Sequence, residues 1–117
     1  MNNPLSYFEN FGICLRLAEM KREELSAATR RRDIQKQLEI ETELAFLERS
    51  MQKIERAIDC YTPQIASAKY SAAKQADDRI FLRYRYVLGL TMEETAEKMN
   101  ISRDTAYRIR RRILASG

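Results

Sequence analysis

Apolar residues recur along this chain at helical rather than strand spacing. The first run follows Asn3-Pro4, a pair suited to an N-cap and a first helical position, where proline's missing N–H costs nothing. It extends to about Ala28. Leu5, Phe8, Phe11, Leu15, Ala18 and Leu25 form one stripe and Ile13, Leu17 and Met20 a neighbouring one, so burial on more than one side is expected. Gly12 should weaken or kink the early turns by roughly 1 kcal/mol relative to alanine. Thr29–Asp33, with three consecutive arginines, reads as a polar corner between two helices, although no Gly or Pro enforces the break and an unbroken helix is the alternative.

From Asp33 to Tyr61 the spacing sharpens. Ile40, Leu44, Leu47, Met51, Ile54, Ile58 and Tyr61 alternate steps of four and three, the repeat that keeps a narrow seam facing a partner helix. That partner is either a second chain, which makes Ile40, Leu44, Leu47, Met51, Ile54 and Ile58 an oligomerisation seam, or another helix of the same chain. An antiparallel hairpin turning near Arg31 would set Cys14 opposite about Glu48, well away from Cys60. Thr62-Pro63 stops the helix and can cap a new one, and the Ala- and Ser-rich stretch 64–75 reads as a short helix or helical linker.

The last forty residues hold a denser set of signals. Asp77 and Asp78 are expected to begin a helix with Ile80, Phe81, Tyr84, Val87 and Leu88 inward, ended by Gly89. Thr91-Met92-Glu93-Glu94 fits a capping box, with a short helix running to Lys98. Met99-Asn100-Ile101 makes a turn in which asparagine can take the left-handed conformation, and Ser102 caps a helix from Arg103 to about Leu114. Two short helices about a tight turn make a helix-turn-helix. Ala96, Met99, Ile101, Ala106, Ile109 and Ile113 fall inward; Thr95 sits where an aliphatic side chain would pack better. Ser102, Arg103, Asp104, Tyr107, Arg108 and Arg111 point outward. The fold expected is therefore all-α: a helical hairpin or coiled coil over 1–61, a helical linker over 62–75, and a helix-turn-helix domain over 76–117.

Charge adds to this picture because it is uneven. The chain is net +4, and from Ile101 onward Arg103, Arg108, Arg110, Arg111 and Arg112 face a single acid, Asp104. A basic cluster on one helix suits phosphate neutralisation and counterion release on double-stranded DNA. A solvated helix C-terminus, where cations are favoured by the macrodipole, is the competing explanation. In a helix-turn-helix the early outward residues of the second helix meet base edges, and arginine reads guanine bidentately. Arg110 and Arg112 fall, with the other C-terminal arginines, to phosphates.

Composition narrows the function classes. There is no histidine, so His-based triads, His-ligated metals and imidazole proton shuttles are excluded, and Glu93, Glu94 and Glu97 are better explained by capping than by catalysis. The expectation is a non-enzyme with no cofactor and no metal site. Cys14 and Cys60, in no CxxC or metal spacing, read as buried reduced thiols. No apolar run approaches a membrane span and the first residues lack a secretory pattern, so a cytoplasmic protein is expected.

The run RYRYVLGLTMEETAEKMNISRDTAYRIRRRIL resembles the helix-turn-helix of the fourth conserved region of sigma factors. In its Arg-Tyr opening and its SRDTAYRIRRRIL ending it is similar to phage-encoded transcriptional activators of the ArpU and RinA type. The resemblance covers the last third of the chain. It implies control of transcription, often of late phage genes, through promoter DNA, with Ser102, Arg103, Asp104, Tyr107, Arg108 and Arg111 facing that DNA and RNA polymerase as a further partner. One helix-turn-helix reads few base pairs, so a homo-oligomer is expected, with a dimer favoured and recognition helices about 34 Å apart. A small terminase-like packaging oligomer and a helical protein-interaction adaptor remain the other readings.

Overall fold

The computed structural model describes residues 4–61 and 72–115, and all its regular structure is helical. Asn3, Thr62-Pro63 and 64–71, to which capping and linker roles were assigned above, lie outside the described residues. Helix α1 spans Pro4–Arg30 and α2 spans Ile34–Asp59. The polar corner is real. Arg32 takes a left-handed conformation (φ 58°), and Asp33 caps α2 by accepting a hydrogen bond from the Lys36 N–H at 3.1 Å. Helix α1 continues through Gly12, where an added Cβ would meet nothing nearer than an arginine side-chain atom at 3.7 Å.

The two long helices form an antiparallel hairpin, and α1 is the partner that the seam of α2 requires. Ile40 and Leu44 are buried with Ala18 and Ala28 toward the tip, with Leu47 and Met51 packed against them. Ile54 and Ile58 are buried with Leu5, Phe8 and Phe11 toward the base. Small alanines on α1 let the helices approach closely where α2 presents branched side chains. The reading of Ile40, Leu44, Leu47, Met51, Ile54 and Ile58 as a seam between chains is therefore corrected: one chain already fills it.

The C-terminal part contains α3 (Ala72–Leu82), a π-helical turn (Arg83–Val87), α4 (Met92–Met99) and α5 (Arg103–Ala115). Helix α3 includes residues before Asp77, so the two aspartates lie within it rather than at its start. The π turn shifts the expected inward face. The Leu88 N–H donates to the Arg83 carbonyl five residues back, at 3.0 Å. The extra residue in that turn brings Tyr86, five positions beyond Phe81, onto the buried line, while Ile80 and Leu88 are left exposed. Asp78, Phe81 and Leu82 are the buried residues of α3. Gly89 (φ 70°) then reverses the chain, and Arg85 braces the reversal by donating to the Leu90 carbonyl at 3.0 Å.

This unit does not stand apart from the hairpin. One apolar core takes Leu5, Phe8 and Phe11 from α1, Ile54 and Ile58 from α2, Phe81 and Leu82 from α3, and Met92, Ala96, Ala106, Ile109 and Ile113 from α4 and α5. Each fully buried large side chain contributes about 1.5–3 kcal/mol. Arg79 donates to the Tyr61 carbonyl at 3.0 Å and Arg83 pairs with Asp59 at 2.6 Å, so two cations meet the C-terminal end of α2, the favourable end of its dipole. Neither cysteine forms a disulfide, but the expectation that both are buried is corrected: Cys14 is half-buried and Cys60 exposed where α2 ends.

Thr95 is fully buried in this core with its hydroxyl unpartnered, although sequence spacing favours an aliphatic residue there. Thr95→Val removes that desolvation cost at nearly constant shape. It is expected to raise stability by about 1 kcal/mol, read as an increase in thermal midpoint of a few degrees.

Candidate nucleic-acid interface

The geometry of α4 and α5 follows from their termini. Thr91 Oγ1 accepts from the Glu94 N–H at 3.1 Å while the Glu94 carboxylate accepts from the Thr91 N–H at 3.1 Å, a complete capping box. The Thr91 backbone bond holds the Glu94 carboxyl below the usual carboxylate range. Asn100 is left-handed (φ 56°, ψ 45°), and the Ile101 N–H closes the helix end on the Ala96 carbonyl at 3.0 Å. Ser102 Oγ accepts from the Thr105 N–H at 3.1 Å, which starts α5. Ala106, Ile109 and Ile113 seat α5 in the core.

The remaining side chains of α5 divide by facing. Ser102, Arg103, Asp104, Arg108 and Arg111 are exposed, and Tyr107 is half-buried with its ring against the core. The Arg103 guanidinium lies 5.7 Å from the centroid of the Tyr107 ring and pairs with Glu93 of α4 at 3.2 Å. One cation is thus held at the start of α5 by an aromatic ring on its own helix and a carboxylate on the helix before it. Asp104 stands in the first turn of α5, where a negative charge is favoured.

Arg110 and Arg112 differ from the others. Arg112 donates twice to one carboxylate oxygen of Asp78, at 3.2 and 2.5 Å, and Asp78 is wholly buried. Arg110 is half-buried beside the Tyr86 hydroxyl. The Arg112 guanidinium serves the packing of α5 onto α3, so grouping Arg112 with phosphate-binding residues is corrected by the ion pair it makes. Sequence reasoning missed Asp78, Tyr86 and Glu93 as arginine partners. Asp78 and Arg112 are 34 positions apart, and no local pattern signals their meeting.

Burial, opposed by the hydrogen bond from Arg112, lifts the Asp78 carboxyl above its ordinary range. The folded chain holds that proton more tightly than the unfolded one. This contribution to stability is therefore complete below the ordinary aspartate value and is lost as pH rises through the raised one. Burial likewise pushes the Tyr86 hydroxyl up, against the pull of Arg85 and Arg110.

With α3 and the π turn, α4 and α5 make a three-helix unit in which α5 presents its outer face to solvent. Residues 77–117 match the family described as a homeodomain-like domain. Comparison with curated proteins and with solved structures finds no match. Among the described residues no helix is long and apolar enough to cross a membrane.

Removing one partner of the buried pair leaves an uncompensated charge, whereas replacing both by apolar groups does not. Arg112→Ala is expected to cost about 2–3 kcal/mol in urea unfolding, and Asp78→Leu combined with Arg112→Met to cost less than that or to stabilise. An Arg112→Ala protein of unchanged stability would return Arg112 to the outer face.

Proposed function

We propose that this chain is a sequence-specific DNA-binding transcription regulator, a binding protein rather than an enzyme. In this reading it is a phage late-gene activator acting as an oligomer on promoter DNA and contacting RNA polymerase. The observation that carries the DNA reading is the homeodomain-like unit, whose α5 keeps Arg103, Arg108 and Arg111 exposed while turning Arg110 and Arg112 inward. In that docking geometry the last helix enters the major groove and its N-terminal residues meet base edges. The phage and activator parts rest on the similarity of the SRDTAYRIRRRIL segment to activators of the ArpU and RinA type.

The residues take distinct roles. Arg103, at the start of α5 and stacked on Tyr107, reads a guanine edge; Asp104 accepts from a cytosine amine; Arg108 and Arg111, further along the exposed face, take phosphates. Ser102 spends its hydroxyl oxygen on the cap and stays beside the backbone. Glu93 competes with DNA for Arg103, because its carboxylate already occupies the guanidinium in the free protein.

Selection from a random duplex pool, followed by anisotropy titration at several salt concentrations, tests this assignment. The wild-type chain is expected to enrich one site and to bind more weakly as salt rises. Arg103→Ala should cost about 1–3 kcal/mol on that site and lose preference at one position, whereas Arg111→Ala should weaken all duplexes and lower the salt slope by about one. Glu93→Gln should bind more tightly than wild type. Equal losses for Arg103→Ala on selected and random duplexes remove the base-reading role, and no salt-dependent binding removes the DNA reading.

A further inference from the structure

Burying the Ile40–Ile58 stripe leaves a second apolar face on the hairpin. Ile13, Leu17 and Met20 of α1, at helical spacing, are 46%, 42% and 57% exposed, and Leu38 and Phe46 of α2 are 60% and 63% exposed. Three of these, Ile13, Leu17 and Phe46, line grooves between the helices. Leu17 and Phe46 line one groove between the helices together with Thr42 and the Lys21–Glu43 ion pair, and Tyr7 and Ile13 line its continuation toward the base beside Lys53. Contiguous apolar surface of this extent on a folded chain marks an interaction site.

We propose that this face is covered by a second copy of the chain, packed as an isologous dimer whose two-fold axis crosses the hairpin near Leu17 and Phe46. Two observations select that occupant. The first is area. From Tyr7 to Glu24 the face is ~26 Å long at the helical rise, and two helices ~10 Å apart make it ~20 Å wide. Two copies thus cover on the order of 1,000 Å², the size at which specific association begins.

The second is charge. Lys21 is bound by Glu43 at 2.6 Å and by Glu24 at 3.4 Å, so the tip half of the groove carries one positive and two negative groups. The base half carries Arg49 and Lys53. A two-fold axis along the hairpin would set each of these cations against its own copy. An axis across it keeps each helix against its own copy in the reverse direction, sets Arg49 opposite Glu43, and lets Leu17 and Phe46 meet their equivalents at the centre. The two α5 helices then lie at opposite ends of the pair. The proposal names a surface for the oligomer assumed above, but its test uses no DNA and is unaffected by whether α5 binds any.

Light scattering on the full chain over a concentration series reads the outcome. Wild type is expected at twice the 13.8 kDa chain mass. Phe46→Glu is expected at the single-chain mass with wild-type helical circular dichroism, since Phe46 lies outside the hairpin core. Arg49→Glu should weaken the dimer roughly tenfold, because the change is felt at two symmetry-related places, and adding Glu43→Arg should restore it. A monomeric wild type, or an oligomer that folded Phe46→Glu leaves intact, overturns the interface. Failure of Glu43→Arg to restore the dimer overturns the crossed axis.

Discussion

The aromatic packing around Phe8 ties the hairpin base to the helices after residue 71. Its ring lies 6.3 Å from the ring of Tyr61 at the end of α2 and 6.3 Å from that of Tyr86 in the π turn. A residue near the start of the chain thereby joins both ends of the hairpin base to the C-terminal unit. Such contacts add about 0.5–1.5 kcal/mol each beyond burial, and they act where α1, α2 and the π turn converge. The exposed Arg83–Asp59 pair contributes far less energy, but with the Arg79 bond to the Tyr61 carbonyl it sets direction. As a result α5 is held at a fixed attitude to a hairpin tens of ångströms long, rather than tethered to it.

Within that frame the arginines of α5 serve two purposes that composition alone does not separate. A helix carrying five arginines would be poorly anchored if all of them sought water. Arg112 reaches Asp78, so one flank of α5 is tied down beside the Ala106–Ile109–Ile113 line. The cost is a buried carboxylate with one unpartnered oxygen. The return is orientation: with that flank fixed, Arg103, Arg108 and Arg111 are left exposed on the outer side of α5. Burial of an ion pair is weak evidence for stability, and the more consistent role of Asp78 here is in setting how α5 lies.

What could be read from the residues was what local geometry determines. The capping box at Thr91, the left-handed Asn100, the Ser102 cap and the corner at Arg31–Asp33 each depend on a few consecutive residues, and each is found where the spacing places it. The misreadings come from the π turn, from distant partners and, for one cysteine, from its place at a helix end. Assigning Ile80 and Leu88 inward assumes 3.6 residues per turn through residue 88, and one extra residue per turn is enough to substitute Tyr86. Treating Asp78 as a helix-starting acid follows from its charge, because only a residue 34 positions away makes its burial tolerable. Cys60 was read as buried from its chemistry, while its place just past the end of α2 leaves it exposed.

The seam on α2 shows where periodicity stops being informative. A heptad stripe specifies that a helix must bury one line of side chains, but not whether the partner is in the same chain. That choice depends on α1, whose two apolar stripes were visible in sequence and whose demand exceeds what α2 can meet. An α1 carrying only the Leu5–Leu25 stripe would be satisfied by the hairpin. The additional Ile13–Leu17–Met20 stripe, with Leu17 beside Phe46 of α2, is a surplus left after the hairpin has formed. The buried seam and the leftover apolar residues thus lie on different faces of the same two helices. The chain completes its own core without that outer face, and a substitution there need not disturb the seating of α5.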